Sequence, residues 1–466
     1  MTRTLEEIPG PPPANSPMAA YALLQEVRRD LLGMVTGGFR EYGDVFRIEV
    51  LGRKQVLAIA PAQVREVLVE HAACFEKGAD YTDRRKGLAK FGGAGLVTSN
   101  GDFWKRQRRL VAPALHHKRI ASYGAQMIGA AERTLARWKD GAELALDHEM
   151  MTTALEIVGK SLFSTDVSGD TERIGEATHV LHGMFEANNS VWTILPAWFP
   201  TLQRARENAA VRTLDEIVYR LIHERRAKED GPVNDTGDLA SMLLLAEDED
   251  GTRMTDRAAR DEIVTMFIAG HETAANTLSW AFVLLARHPE IEAKLDAELD
   301  RVLAGRTPTA EDFRALPYTE AVIKETLRLY PPGFTFMRSC IAPTTVGDFA
   351  IPVGVDVSLV PYATHRDARF FPDPERFEPE RFLGEREKTI DRYAFIPFGG
   401  GARVCVGNAF AMMETTLVLA TLASRYRVAL VDPESVKPVP GVTLRPSGPL
   451  MVRLAARGPE TRHARA

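Results

Sequence analysis

Cys405 is the residue of this chain best suited to bind a metal, and it lies in the run Phe398–Gly407. Four glycines and one arginine share this run, and an apolar helical pattern begins near Asn408. A cysteine thiolate is a strong ligand for iron, and the positive end of a following helix favours the ionised thiol. The glycines let the backbone approach a flat ligand closely, and Arg403 could pair with an acidic group on it. These residues therefore predict a loop that holds an acidic, iron-containing ligand.

The run resembles the haem-binding loop of the cytochrome P-450 family, the haem-thiolate monooxygenases, because each fixed position of the pattern FxxGxRxCxG is filled. The resemblance implies that Cys405 is the axial ligand of haem b, and that Phe398, Arg403 and Gly407 also contact this cofactor. Two simpler interpretations compete with it, since a lone cysteine often serves as a small buried hydrophobe and a glycine run is often only a loop. A phosphate-binding loop is disfavoured, because no Gly-Lys-Ser/Thr sequence follows the glycines.

Residues 256–288 form a long, largely apolar stretch that predicts a buried helix. Its centre contains Glu272 and Thr273, and a carboxylate inside an apolar helix either reaches solvent or has a function. In the family that the cysteine loop resembles, an acid–alcohol pair at this place passes protons to dioxygen, so that the O–O bond breaks heterolytically. The resemblance therefore makes Glu272 and Thr273 the candidate catalytic residues. Ala274 departs from the family pattern, in which a second hydroxyl residue is common, and His271 is expected to be a packing or surface residue.

A second predicted helix, Tyr318–Tyr330, contains Glu325 and Arg328 three residues apart and therefore on one face. Alone, such a pair is typical of a surface ion pair. Together with the cysteine loop it resembles the buried Glu-Arg-Arg triad with which the family locks the loop beneath the haem. The resemblance gives Glu325 and Arg328 a structural role, and it assigns the third position to Arg381 in preference to Arg376.

Several residues match family positions that bind the two propionate carboxylates of haem. Trp104 and Arg108 lie four residues apart, so they share a helix face, and they match the WxxxR helix of the family. Arg338 and Arg403 match further propionate partners, since arginine forks suit carboxylates. For Trp104, simple packing in the core is the alternative.

The helix of Trp104 also begins a basic cluster, which resembles the face where the electron donor of the family docks. The cluster contains Lys105, Arg106, Arg109 and residues 116–119. The implied partner is an acidic ferredoxin or a flavodoxin, reduced in turn by an NAD(P)H-dependent reductase. A merely solvated face is the alternative. Because the chain ends soon after its last predicted strand, we expect no fused reductase and electron delivery by separate proteins.

The residues expected to face the substrate are mostly apolar or aromatic. They are Phe267, Ala269, Phe334, Phe336 and Met337, with contributions from around Met184 and Phe185. This set indicates an apolar substrate such as a fatty acid, a terpenoid or a steroid-like molecule. The resemblance implies that one oxygen atom of O2 is inserted into that substrate.

The composition narrows the class of protein. The chain has 466 residues, of which 45% are hydrophobic and 26% charged, as in ordinary soluble globular proteins. A net charge of −5 argues against a nucleic-acid partner. The three cysteines lie far apart, which fits a reducing compartment better than a disulfide framework. No apolar stretch at the N-terminus is long enough for a signal peptide or a membrane span, so we expect a cytoplasmic enzyme.

Most of the chain predicts helix, with a few short strands. The strands lie near residues 45–60, where they form a hairpin, and near 334–360 and 428–454. The expected fold is the mainly α (α+β) haem-thiolate fold with a small β lobe. We expect one domain over residues 1–466, with a proline-rich arm at 1–15 and a polar, frayed tail at 457–466.

Other functions stay open on the sequence alone. An oxygen-independent isomerase or a peroxygenase of the same fold often lacks the acid–alcohol pair, so Glu272 and Thr273 argue against both. The same pair argues less strongly against a non-catalytic haem-binding protein. A cysteine hydrolase that uses Cys405 would explain neither the pair Glu325 and Arg328 nor the matching arginines.

Overall fold

The computed structural model describes residues 2–85, 87–164, 169–170, 173–178, 180, 201–227, 238–246 and 251–458. Its α-helices are, in chain order, α1 Pro17–Tyr42, α2 Pro61–Arg65, α3 Ala79–Thr82, α4 Gly87–Gly92, α5 Gly101–Val111, α6 His117–Arg137, α7 Leu146–Phe163, α8 Leu202–Ala227, α9 Leu239–Leu245, α10 Asp256–Arg287, α11 Pro289–Leu303, α12 Pro317–Leu329, α13 Pro361–Thr364, α14 Gly384–Lys388 and α15 Asn408–Ala423. Its strands are β1 Val45–Val50, β2 Arg53–Ala58, β3 Phe75–Glu76, β4 Glu143–Ala145, β5 Phe336–Cys340, β6 Thr344–Val346, β7 Phe349–Ile351, β8 Asp356–Leu359, β9 Tyr426–Leu430, β10 Pro438–Pro440, β11 Leu444–Pro446 and β12 Met451–Ala456.

Helix α10 is the central element, and α7, α8, α12 and α15 pack around it. It begins after Thr255, whose hydroxyl accepts a hydrogen bond from the N–H of Ala258 at 3.2 Å, as a good N-cap does. Its 32 residues extend over about 48 Å, and most of them are buried. The predicted bounds differ from the observed ones by one residue, because His288 precedes Pro289 and is not helical.

The β lobe is a five-stranded sheet in the order β1-β2-β8-β5-β3. Strands β1 and β2 form the predicted hairpin, and the turn residues Leu51 and Gly52 both have positive φ, 47° and 80°, as tight hairpin turns require. Strand β2 lies parallel to β8, and β8 lies antiparallel to β5. The sheet has its own apolar cluster, separate from the larger one around α10. The mainly helical fold with a small β lobe is therefore confirmed.

Smaller sheets join distant parts of the described chain. Strands β4, β12 and β9 form one of them, and β10 pairs with β11 in a hairpin. The backbone of this hairpin is attached after α12, where the N–H of Leu444 donates to the carbonyl of Pro332 at 3.0 Å. The hairpin also contacts α10, which places its tip beside the centre of that helix.

The N-terminal arm lies along the β lobe. The N–H of Arg3 donates to the carbonyl of Asp348 at 2.8 Å, and the N–H of Ala14 donates to that of Glu49 at 2.9 Å. None of the described helices is both long and apolar enough to cross a membrane.

The first residue of the predicted polar tail is held in place, contrary to expectation. The N–H of Arg457 donates to the carbonyl of Arg425 at 2.8 Å, and its guanidinium lies 3.2 Å from the carboxylate of Asp300. Residues 459–466 lie outside the described part of the chain. Arg457 therefore belongs to the folded structure, because its stem is buried while its charge is paired.

Candidate active site

The cysteine loop is a tight turn that ends at the start of α15. The N–H of Cys405 donates to the carbonyl of Phe398 at 2.9 Å, which closes the loop. Gly399 and Gly401 have positive φ, 71° and 63°. A Cβ atom on Gly401 would lie 2.0 Å from the carbonyl oxygen of Leu68, so only glycine fits this close approach.

The side chain of Cys405 is exposed, although it lies deep inside the protein. Burial raises the pKa of the thiol, while the backbone N–H of Gly407 and the charge of Arg108 lower it. The backbone N–H at the start of α15 thus favours the ionised thiol, as expected, but burial outweighs it and the net direction of the pKa is upward. A bound iron cation would supply the missing positive charge, so the site fits a thiolate-ligated metal.

Arginines surround the same loop. Arg403 stacks over the ring of Trp104 at 4.0 Å and donates to the carbonyl of Ser99 at 2.9 Å. Arg108 donates to the carbonyl of Val404 at 2.8 Å. These hydrogen bonds orient the guanidinium groups, but each acceptor is a neutral carbonyl that leaves the positive charge in place.

Burial and mutual repulsion act on this group of cations. Burial, followed by repulsion from Arg338, lowers the pKa of Arg403 to about 10, and burial also lowers the pKa of Arg338. Lys77 belongs to the same group: burial and then repulsion from Arg338 and Arg403 lower its pKa strongly. Sequence reasoning missed Lys77, since an isolated lysine carries no local signal. We call Lys77, Arg108, Arg338 and Arg403 the cation cluster. Buried cations of this kind require an anion, and a ligand with two carboxylates, as haem has, fits them.

The centre of α10 has an exposed side and a buried side. Ala269 is exposed and Thr273 is partly exposed, whereas Glu272 is buried. The Thr273 hydroxyl donates to the carbonyl of Ala269 at 2.9 Å, one turn earlier in the helix. A Cβ atom on Gly270 would lie 2.9 Å from the side chain of Val158 in α7. This glycine therefore allows α7 to pack closely, rather than opening space for a small ligand.

Glu272 points toward the β10–β11 hairpin. Its Oε1 accepts a hydrogen bond from the hydroxyl of Thr443. Burial raises the pKa of Glu272 to about 7, although Thr443 and Arg445 act in the opposite direction. A carboxyl with this pKa can take up and release a proton near neutral pH, which general acid–base chemistry requires. His271 is buried and contacts the carbonyl of Phe267 through Nδ1, in line with its predicted packing role.

The predicted triad is assembled and buried. Arg328 donates to both carboxylate oxygens of Glu325, at 2.7 and 2.8 Å, and Arg381 lies 3.4 Å from the same carboxylate. The side chains of Glu325 and Arg328 have no exposed surface, and that of Arg381 is 5% exposed. Arg376, the alternative third member, contributes only its backbone carbonyl, which accepts from Arg328 at 3.0 Å.

His365 links this triad to the cysteine loop, and sequence reasoning missed it. Its Nε2 accepts from the N–H of Ile396 at 3.0 Å, so Nδ1 carries the proton and donates to the carbonyl of Arg328 at 3.1 Å. The carbonyl of Ile396 in turn accepts from the N–H of Gly399 at 3.0 Å. Burial and the nearby charge of Arg328 lower the pKa of His365 to about 3, which keeps it neutral.

Two of the residues predicted to contact the substrate, Phe267 and Phe334, are buried in this structure. Phe267 is buried and stacks on Phe163 of α7 with ring centroids 4.4 Å apart, so it faces the core. Phe334 is buried in a cluster with Leu32 and Leu444. Phe267 lies two positions before the exposed Ala269, and a helix rotates by about 100° per residue, so the two side chains point in nearly opposite directions.

The remaining predicted contacts stay open to a ligand. Ala269 is exposed, and Phe336 and Met337 are partly buried on β5. The ring of Phe336 lies against the cysteine loop, 3.8 Å from the Cβ position of Gly399. Met184 and Phe185 lie outside the described residues.

The predicted docking face is partly neutralised. Lys105 pairs with Asp102 at 2.8 Å, and both side chains are exposed. Arg106 donates to the hydroxyl of Thr252 at 3.2 Å. Lys105 and Arg106 thus remain on the surface of α5, but their charges are not all available to a partner.

Comparison with known proteins places this geometry in a family. The family model for cytochrome P-450 matches residues 9–453. The chain is 36% identical to cyclooctatin synthase of Streptomyces melanosporofaciens, an alignment that covers 93% of this chain and 91% of the relative. It is 38% identical to cyclooctat-9-en-7-ol 5-monooxygenase of the same organism, covering 86% and 84%, respectively. It is 35% identical to pentalenene oxygenase of Streptomyces avermitilis, covering 97% and 98%.

A solved structure agrees with these matches. The crystal structure of the cytochrome P450DA heme domain superposes with a TM-score of 0.82 at 25% identity, covering 97% of this chain and 98% of that one. The chain therefore belongs to the cytochrome P-450 family, and it is a monooxygenase whose cofactor is haem b.

Proposed function

We propose that this enzyme inserts one oxygen atom of O2 into a polycyclic terpenoid. The observation that carries the proposal is the exposed Cys405 thiol, deep inside the protein and bordered by the cation cluster. The substrate class rests on the relatives, since pentalenene oxygenase and cyclooctat-9-en-7-ol 5-monooxygenase carry the names of terpenoid substrates. The apolar character of Phe336, Met337 and Ala269 supports the same class.

Haem b, when bound, supplies the activation of O2 and its transfer to carbon. Cys405 would hold the iron, and Phe398 and Gly407 would border the haem at the loop. Trp104, Arg108, Arg338 and Arg403 would bind the propionates, with Lys77 as a further cation. The triad and His365 would keep the loop in position, because they fix the backbone that precedes it.

Glu272 and Thr273 would deliver protons during the reaction. The pKa of Glu272 near 7 allows it to exchange protons with water, and the partly exposed hydroxyl of Thr273 can pass them on. An enzyme without this pair would release reduced oxygen as peroxide instead of consuming it. The pair thus supports a monooxygenase over a peroxygenase or an isomerase.

Electrons would come from a ferredoxin or a flavodoxin with an NAD(P)H-dependent reductase. The exposed Lys105 and the partly exposed Arg106 on α5 support docking of an acidic partner. We also propose that residues 1–466 work as one haem-thiolate domain. A cytoplasmic location is supported by three thiols that are all free.

The test begins with purified protein and the carbon monoxide difference spectrum after reduction. The wild type should show the band of a thiolate-ligated haem, and Cys405→Ala should lose it. Spin-state titrations should then show tighter binding for polycyclic terpenes and their alcohols than for fatty acids and steroids. Tighter binding of a fatty acid would contradict the terpenoid assignment, and turnover that needs added peroxide instead of a ferredoxin would contradict the monooxygenase reaction.

A further inference from the structure

The carboxyl of Glu272 is held by a residue that lies far away in the sequence. Thr443, between strands β10 and β11, donates its hydroxyl hydrogen to Oε1 of Glu272. Asn276 in turn donates to the Thr443 hydroxyl oxygen from Nδ2 at 2.9 Å. All three side chains are buried, at 1%, 5% and 7% exposure for Glu272, Asn276 and Thr443. We call this arrangement the carboxyl clamp.

The hydrogen bonds of the carboxyl clamp run in one direction, from Asn276 through Thr443 to Glu272. An amide NH2 group can only donate, so the bond from Asn276 occupies a lone pair of the Thr443 oxygen. The hydroxyl hydrogen of Thr443 is then directed at Glu272. A hydroxyl that donates to a carboxylate stabilises the ionised form of that carboxylate.

The clamp also separates the acid from the alcohol of the relay. Asn276 lies four residues after Glu272, so both occupy the same face of α10. Thr273 lies about 100° further round the helix, and its hydroxyl donates to the carbonyl of Ala269. Glu272 and Thr273 are thus neighbours in sequence that are held by different partners.

Charged and titratable neighbours modulate the carboxyl. Arg445 on β11 favours the ionised form of Glu272, whereas burial opposes it more strongly. His271, the adjacent ring on α10, is buried, and burial lowers its pKa, so it adds no charge. The clamp and Arg445 therefore hold the pKa of Glu272 near neutrality, where burial alone would raise it further.

We propose that Thr443, fixed in turn by Asn276, is a positioning residue that holds the Glu272 carboxyl ready to exchange protons during oxygen activation. The inference rests on the proposed role of Glu272 as the acid of the relay. Thr443 touches neither substrate nor haem in this scheme. It acts through Glu272, by fixing the orientation of the carboxyl and favouring its ionised form.

Thr443→Val tests the clamp with little change of shape. Valine fills nearly the same volume but cannot donate, so Glu272 should titrate roughly one to two pH units higher than in the wild type. Thr443→Ser keeps the hydroxyl and should behave like the wild type. The fold should survive, because the backbone N–H of Leu444 still attaches the hairpin to the carbonyl of Pro332.

The first measurement does not depend on catalysis. Infrared spectra of the haem-loaded protein, recorded from pH 5 to 10, contain the carbonyl band of protonated Glu272, identified as the band that Glu272→Gln removes. The midpoint of this band should shift upward in Thr443→Val, and a smaller upward shift is expected in Asn276→Ala. A midpoint in Thr443→Val within 0.3 pH units (roughly, the error of such titrations) of the wild type would overturn the inference.

The second measurement compares product with peroxide across pH in a reconstituted system. Thr443→Val should release several-fold more peroxide than the wild type, with its pH profile displaced in the same direction as the infrared midpoint. Thr421→Val is the matched control, because that buried hydroxyl donates only to Leu417 within α15, and its profile should not move. A third result is possible: the infrared midpoint is displaced in Thr443→Val, but the ratio of product to peroxide stays unchanged in both Thr443→Val and Glu272→Gln. The clamp would then exist, but Glu272 would not be the relay acid. That result would overturn the proposed role of Glu272 and with it the inference.

Discussion

The triad and the cation cluster both place arginines near the cysteine loop, but among the described residues only the triad pairs them directly with carboxylates. In the triad, Glu325 accepts two hydrogen bonds from Arg328, and backbone carbonyls satisfy further donors. In the cation cluster, Arg403 and Arg338 lower the pKa of neighbouring cations and bond to neutral carbonyls. One region is complete within the protein, whereas the other requires a ligand. The difference indicates which buried charges stabilise the fold and which are arranged for haem.

Glu325→Ala should cause the largest loss of stability. Arg328 would lose its carboxylate partner in a buried site, while Arg381 would keep only Glu378, at 3.0 Å. Stranding the Arg328 charge costs roughly 3–5 kcal/mol of unfolding free energy. Thermal and urea unfolding of both apo and haem-loaded protein measure this loss. Arg376→Ala is the control, because its side chain is exposed and only its backbone contacts the triad. A stable, haem-loaded Glu325→Ala protein would show that the triad does not support the fold.

Arg338→Met should have the opposite effect on the apoprotein. Removing Arg338 relieves its repulsion of Lys77 and Arg403, so the apoprotein should unfold at an unchanged or higher temperature. Haem should dissociate roughly tenfold to a hundredfold faster, because a charged hydrogen bond to a propionate is lost, worth about 1.5–3 kcal/mol. Transfer of haem to an apo-globin acceptor measures the rate. Unchanged haem loss would remove Arg338 from the propionate site.

The hydrogen bonds of the neutral His365 should make the stability of the triad region decrease at acidic pH. The pKa of His365 is lowered to about 3 in the folded protein against 6.5 in the unfolded chain, so the stabilisation by its neutral form is lost as the pH falls below 6.5. At pH 5 this loss amounts to about 2 kcal/mol relative to pH 7.5. His365→Gln does not titrate, so its unfolding free energy should fall less between these two pH values.

Buried carboxyls change stability with pH in the opposite sense from His365, and the wild type and His365→Gln both contain them. Burial raises the pKa of Glu262 to about 8, so its stabilisation is present below pH 4.5 and is lost as the pH rises toward 8. The comparison of wild type with His365→Gln cancels this contribution. Equal pH dependence in the two proteins would contradict a neutral, buried His365.

The smallest effect should come from the surface charges of α5, which are solvated, unlike those of the triad and the cation cluster. Lys105→Glu together with Arg106→Glu should slow reduction by an acidic ferredoxin about threefold to tenfold at low salt, and less at high salt, where screening is strong. Stopped-flow reduction at several ionic strengths measures the rate. Arg53→Glu on the β lobe, also exposed, is the control. An equal rate in all three proteins would exclude α5 as the docking face.

Local sequence patterns were sufficient for much of the fold. The bounds of α10 and α12 follow from apolar runs that end near prolines, and the β1–β2 hairpin follows from two apolar runs around Leu51-Gly52. The family was also evident from one segment, Phe398–Gly407, because closing a loop around a thiolate requires particular residues at fixed positions. In these segments the partners of each residue are only a few positions away.

Tertiary structure decided whatever depends on distant partners or on small rotations. Phe267 and Ala269 are two residues apart, yet one packs on Phe163 and the other is exposed, because about 200° of helix separates them. Thr443 reaches Glu272 from 171 positions away, and Lys77 joins the cation cluster without any local signal. Sequence alone therefore determined which residues could do chemistry. The packing of β11 and α7 against α10 decided which way these side chains point, because side-chain direction depends on neighbours from the whole chain.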